Sequence, residues 1–157
     1  GSDNSPLTGK KGMMFEGGIR VPCIVRYPKK IKPGTVNEGL LTSLELVPTF
    51  LKEAQIPLSE DIVFDGYDML PTLTTQVESP RKEMYWQRRA DKAARVGNWK
   101  WVESVKGNGL FDLSKDVSEK HDLSKAHPEK LKEMKAHFAN WKKEMAKAEP
   151  RGPFRDF

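Results

Sequence analysis

Cysteine is nearly absent: Cys23 stands alone among 157 residues, so no internal disulfide and no cysteine metal cluster can form. It lies inside the apolar run Val21 to Tyr27, where a small buried hydrophobe is the expected role. Histidine is almost as scarce, and His121, His127 and His137 show no spacing that suggests zinc. All three are expected at the surface without a catalytic role. Nowhere does an apolar run approach the ~18 residues of a membrane-crossing helix. No signal-peptide pattern opens the chain, which is uninformative if the natural start lies upstream.

Charge is abundant. Charged residues make up 31% of the chain and hydrophobic residues 37%, with a net charge of +5 and a pI near 9.3. Much of the excess sits in the last third. That balance favours acidic partners such as nucleic acid, anionic lipid or sulfated polysaccharide, although a solvated lysine-rich helix is the simpler explanation. The length suffices for one medium domain or two small subdomains.

Residues 1 to 18 read as a loop of Gly, Pro, Ser, Asn and Lys. Arg20 to Tyr27 follows as a short strand, apolar on both faces and so expected to be buried between layers. Pro28 to Gly34 forms a turn. Ser43 to Ala54 is predicted helical, with Leu44, Val47, Phe50 and Leu51 on one face and Pro48 tolerated in the first turn. Gln55 to Thr75 is a turn-rich connector. After Ser79-Pro80 the composition shifts, and strand-like runs appear at Glu83–Arg88, Ala93–Gly97, Trp99–Ser104 and Leu110–Leu113, with a hairpin signal at Lys106-Gly107-Asn108-Gly109. Leu131, Met134, Phe138, Trp141 and Met145 then mark one stripe of a helix from about Pro128 to Lys147, docked on the meander. Pro128 suits its first turn, and Glu129 its positive dipole end.

The residues that could carry chemistry cluster near the start. Taken alone, Asp3-Asn4 is a common turn former, but its oxygens also suit a hard cation such as calcium. Lys11 alone is a loop lysine. Glu16 and Arg20, four apart and flanking Gly17-Gly18, are best read as an ion pair fixing a hinge whose glycines permit close backbone approach.

Together, Ser2-Asp3-Asn4-Ser5 and Lys11-Gly12-Met13-Met14-Phe15-Glu16-Gly17-Gly18-Ile19-Arg20-Val21-Pro22 resemble the C-terminal portion of a sulfatase of the arylsulfatase type. Thr42 to Thr49, Asp65 to Pro71, and Gly109 to Leu113 with Asp116, Glu119 and Leu123 extend the resemblance, in order, over nearly the whole chain. The resemblance implies an α+β arrangement. Residues 1–80 would be the end of an α/β core (strand plus helix), 81–149 a four-stranded antiparallel sheet with a packed C-terminal helix, and 150–157 a tail.

By the same resemblance Asp3 and Asn4 match two calcium ligands, and Lys11 the lysine that contacts the substrate's sulfate. Ser5 stands where the family has Gly, which puts the loop geometry in question. The family's nucleophile is a formylglycine made from Cys/Ser-x-Pro-x-Arg, and that motif does not occur here. Calcium is therefore expected only together with a missing N-terminal sulfatase part, and no turnover is expected from the chain alone. The implied substrate is a sulfate ester, a sulfated carbohydrate being one candidate; on charge and aromaticity alone Trp86, Arg88, Arg89 and Lys92 are conceivable contacts, ordinary surface positions being the simpler reading. Membrane and nucleic acid are not called for. A secreted or periplasmic location is suggested by the resemblance only. Apolar surface meant for an absent sheet predicts an oligomer. The alternative is a non-catalytic module that binds a polyanion or a partner through basic charge and Trp86, Trp99, Trp101 and Trp141.

Overall fold

The structure, a computed structural model, describes residues 3–57, 61–75 and 77–148. The fold is α+β, and the chain separates into two compact units. One joins residues 1–22 to 83–157; the other is 23–82. The N-terminal loop, which the sequence groups with residues up to 80, thus packs with the sheet.

In the first unit a short helix α1 (Glu16–Ile19) precedes an antiparallel sheet in the order β1 (Glu83–Arg88), β2 (Asp91–Val96), β3 (Trp99–Ser104), β4 (Gly107–Asp112). Each strand pairs with the next, as expected when short turns join β-branched and aromatic runs. Alternation sends the side chains to two faces. One face carries Ala93, Val102 and Phe111 against Met14 and Phe15 of the N-terminal loop. The other carries Ala94, Trp101 and Leu110 against Met134 and Phe138 of α4 (Pro128–Met145). Pro128 opens α4 as expected, and its stripe docks on the sheet; Met145, at its end, is exposed. The last nine residues, the predicted tail among them, lie outside the described part.

In the second unit a 3-10 turn (Ser43–Glu45) runs into α2 (Leu46–Glu53), and α3 (Leu70–Thr75) occupies what reads in sequence as connector. Thr42 and Glu45 close a capping box, which is why the helix starts there. Pro48 falls in the first turn of α2, where its missing N–H costs nothing. The expected apolar face is not the inward one. Val47 and Phe50 are exposed, and Glu45, Pro48 and Thr49 are buried instead. Polar anchors rotate the helix: the Arg81 guanidinium donates to Glu45 Oε1 at 2.8 Å, and the Met69 amide donates to Thr49 Oγ1 at 2.9 Å.

Two further expectations are corrected. Residues 20–27 form no strand, and Ile24 is 93% exposed, because no described strand offers the segment a ladder partner. For the same reason Cys23 is exposed rather than buried.

Candidate functional site

The N-terminal loop is built by its own backbone and by the sheet. The Leu7 amide donates to Asn4 O at 2.9 Å, the Gly17 amide to Thr8 O at 2.8 Å and the Met13 amide to Lys10 O at 2.9 Å. Gly9 and Gly12 adopt φ of +88° and +87°, a region costly for side chains. Gly17 is required by space: a Cβ there would lie 2.5 Å from Gly9 O and 2.6 Å from Thr8 O.

Within this loop the side-chain amide of Asn4 donates to the carbonyls of Gly17 (2.8 Å) and Gly9 (3.3 Å). Both bonds engage the nitrogen, so Asn4 Oδ1 keeps its acceptor capacity. Asp3 Oδ1 accepts from the Ser5 amide at 2.9 Å and the Ser5 hydroxyl at 2.7 Å, which hold its carboxyl below the usual range. Ser5, whose φ is not positive, is unstrained and supports Asp3 through its hydroxyl. A carboxylate and an amide oxygen with free lone pairs are hard donors of the kind calcium takes, so the two residues fit part of such a site. Among the described residues no three His, Cys, Asp or Glu converge as a metal cluster. Lys11 is exposed on the turn before Gly12.

The loop is fastened to the sheet by buried charges. Lys100 on β3 is fully buried, with Nζ 2.8 Å from Glu16 Oε1 and 2.7 Å from Glu119 Oε1. The Glu16 amide donates to Glu119 Oε2 at 2.5 Å, and Arg20 Nε donates to Glu16 Oε2 at 2.7 Å, the expected hinge pair. Burial pushes the carboxyl of Glu16 up, but Lys100 and Arg20 together outweigh it and hold it below the usual range. For Glu119 burial prevails over Lys100, and its carboxyl is raised. Thr8 Oγ1 adds a bond to Ser118 O at 2.6 Å. Sequence reasoning missed Lys100, although Trp-Lys-Trp-Val alternation puts it on the face of Val102, a signal for a buried lysine.

Beside the loop an open cleft of about 440 Å³ runs along β1, lined by Gly12, Met13, Met14, Gly18, Ile19, Tyr85, Trp86, Gln87, Arg88 and Trp141. Of the four sequence candidates for sugar contact, Trp86 and Arg88 line it. Lys92 instead pairs with Glu103 at 3.1 Å on the α4 side of the sheet, and Arg89 occupies the hairpin tip with φ +55°. The histidines stay apart: His121 lies 3.3 Å from Asp116, His127 packs on Trp99, and His137 is 3.6 Å from Glu83.

The chain belongs to the sulfatase family, and what it matches is the C-terminal region of that family. Residues 9–148 match the family model described as N-sulphoglucosamine sulphohydrolase, C-terminal. The chain is 32% identical to an N-acetylgalactosamine-6-O-sulfatase of Bacteroides thetaiotaomicron, over 80% of this chain and 28% of that protein. It is 30% identical to human arylsulfatase A, over 80% of this chain and 31% of that protein. Among solved structures, Ps i-CgsB in complex with k-i-k-neocarrahexaose superposes with a TM-score of 0.78 at 32% identity, over 89% of this chain and 32% of that one. The chain thus spans between a quarter and a third of the length of these relatives.

Proposed function

We propose that this chain supplies part of the metal and sulfate end of a sulfatase site that hydrolyses sulfate esters. Asp3 and Asn4 would provide two of the about six to eight oxygens calcium requires, so the ion is held only together with ligands from elsewhere. Bound calcium would draw charge from the sulfate oxygens. The Lys11 ammonium would add a fixed positive charge where the departing sulfuryl oxygens gather electrons. The Asn4 amide, spent on Gly9 and Gly17, keeps its oxygen presented; Glu16, Lys100 and Glu119 hold the loop against the sheet. In this reading 1–80 is the end of an α/β core, 81–149 is its C-terminal subdomain, and the nucleophile comes from a separate N-terminal part. Alone, the chain is inactive. The relatives' names point to a sulfated carbohydrate as substrate.

The observation that carries this reading is the Asn4 amide tied across the loop to Gly17 O at 2.8 Å, beside Asp3 and on the same loop as Lys11. Its test is a chimera in which the chain replaces the matching third of the Bacteroides thetaiotaomicron relative. Sulfate release is expected from the chimera and none from the chain alone. Lys11→Ala should lower kcat/KM by about 100-fold with folding intact. An active chimera indifferent to Lys11→Ala would refute the assignment.

A further inference from the structure

Glu119 is buried on the segment between β4 and α4, 103 residues along the chain from the turn it holds. Its Oε2 accepts the Glu16 amide, the first N–H of α1, at 2.5 Å. Its backbone sits at φ +54°, a left-handed conformation that is costly for a residue with a side chain. Strain of that kind persists where surrounding contacts over-determine it, and at Glu119 those contacts run to the loop.

One ammonium serves two buried carboxyls. Lys100 Nζ donates to Glu16 Oε1 at 2.8 Å. Glu119 Oε1 lies 2.7 Å from the same nitrogen, yet among the described residues no donor is aligned with it. Glu16 also has Arg20 Nε at 2.7 Å, and Arg95 on β2 is within electrostatic reach of Glu16 and Arg20. The charged groups that face Glu119 among the described residues are Lys100 and Glu16. On its own segment Asp116 is spent on the amides of Lys120 and His121, both exposed residues. Two carboxyls on one cation in a buried site do not both ionise cheaply. The less supported of the two is Glu119, and burial raises its carboxyl.

We propose that Glu119 is a proton-sensitive latch on α1: neutral, it keeps the turn closed on the sheet, and ionised, it lets the turn open while the sheet stays folded. Local opening is drawn from the least packed parts of a fold. Met14 and Phe15 are anchored in the core, whereas residues 17–19 are half-buried and residues 20–22 exposed. The direction follows from the proton balance. Closed, Glu119 keeps its proton above 4.5; open, it releases it at that ordinary value, so rising pH favours opening until the folded value is passed. Glu16 is depressed, so its contribution is present above 4.5 and adds no slope there. Gly17, whose carbonyl takes the Asn4 amide, lies in the same turn, so opening also frees that amide. Its consequence for a metal and sulfate site rests on the function proposed above; the latch itself does not.

The test is amide hydrogen exchange of the isotopically labelled chain by NMR between about pH 5 and 8, read as protection relative to an unstructured peptide. Protection of the Gly17, Gly18 and Arg20 amides should fall about tenfold per pH unit above 4.5 and level off beyond the folded value of Glu119. It should stay at least about tenfold below that of β2 and β3 throughout, because α1 opens without global unfolding. The Glu119 carboxyl carbon should titrate above 4.5 on the same curve, and the Asn4 side-chain amide signals should follow it. In Glu119→Gln the α1 protection should show no such slope, since glutamine keeps an acceptor and does not ionise. A Glu119 carboxyl titrating at or below 4.5 would overturn the proposal, even if Glu119→Gln fails to fold. A flat profile in the wild type, or the same slope in Glu119→Gln, would overturn it too. So would equal protection of α1 and the sheet at every pH, which means global unfolding. None of these readouts is turnover: Lys11→Ala should reproduce the wild-type profile even if the role of Lys11 in sulfate recognition proves wrong.

Discussion

Replacing Lys100 with Met removes the cation that two buried carboxylates share and keeps the length of the side chain. Lys100 and Glu119 have fully buried side chains and that of Glu16 is 4% exposed, so solvent does little to replace the lost charge. Removing one member of a buried ion pair typically costs about 3–5 kcal/mol. Glu16 keeps Arg20 at 2.7 Å, so the greater penalty falls on Glu119, whose carboxyl burial already raises. Urea unfolding is the assay. With m values of about 1–3 kcal/mol per molar, the midpoint should fall by about 1 M or more at neutral pH. Glu119→Gln in the Lys100→Met background should recover about 1–3 kcal/mol, because the stranded charge is gone. The two carboxylates also predict opposite pH trends. Glu16 is depressed, so its contribution is present above its ordinary 4.5 and lost as pH falls through its folded value. Glu119 is raised, so its contribution is present below 4.5 and lost as pH rises through its folded value. The stability advantage of wild type over Glu119→Gln should therefore shrink as pH rises above 4.5. A loss under about 1 kcal/mol for Lys100→Met, or no rescue by Glu119→Gln, would refute the idea that this cluster fastens the loop.

Three further outcomes are expected. Gly18→Ala would drive a methyl into the carbonyls of Met13 and Lys10, and should cost about 1–3 kcal/mol in thermal or urea unfolding. Met134→Ala empties a fully buried position between α4 and the sheet, and should cost about 2–5 kcal/mol by the same measurement. Thr42→Ala removes the capping box of the second unit and should cost about 1 kcal/mol, visible as faster amide hydrogen exchange at Leu44 and Glu45.

Much of the sheet unit is legible residue by residue. The strand positions follow from aromatic and β-branched runs broken by turns, and α4 from Pro128 and a stripe that buries Met134 and Phe138. The hinge is readable too, since Glu16 and Arg20 do pair across Gly17-Gly18. Less legible was the partner of that hinge. Glu16 meets Lys100 and Glu119 at separations of 84 and 103 residues, and no local spacing encodes such contacts. Of the sugar-contact candidates, Trp86 and Arg88 reach the cleft and Lys92 does not, because strand parity and a glutamate on β3 decide where a basic side chain turns.

Apolar character also misled where burial depends on neighbours. Val47 and Phe50 match a helical face, yet Glu45 and Thr49 turn inward because Arg81 and Met69 supply partners for their polar atoms. Residues 20–27 have the composition of a strand but not the ladder, since a strand forms only against another backbone. By itself, then, the sequence determined the local elements of the sheet unit, the hinge glycines and the family, because these depend on neighbours a few residues apart and on motif order. Only the tertiary structure decided that the N-terminal loop packs on the sheet through a buried lysine and that Arg88 stands over Gly12 beside an aromatic cleft. Those outcomes depend on which distant charges and surfaces the folded chain brings within bonding distance.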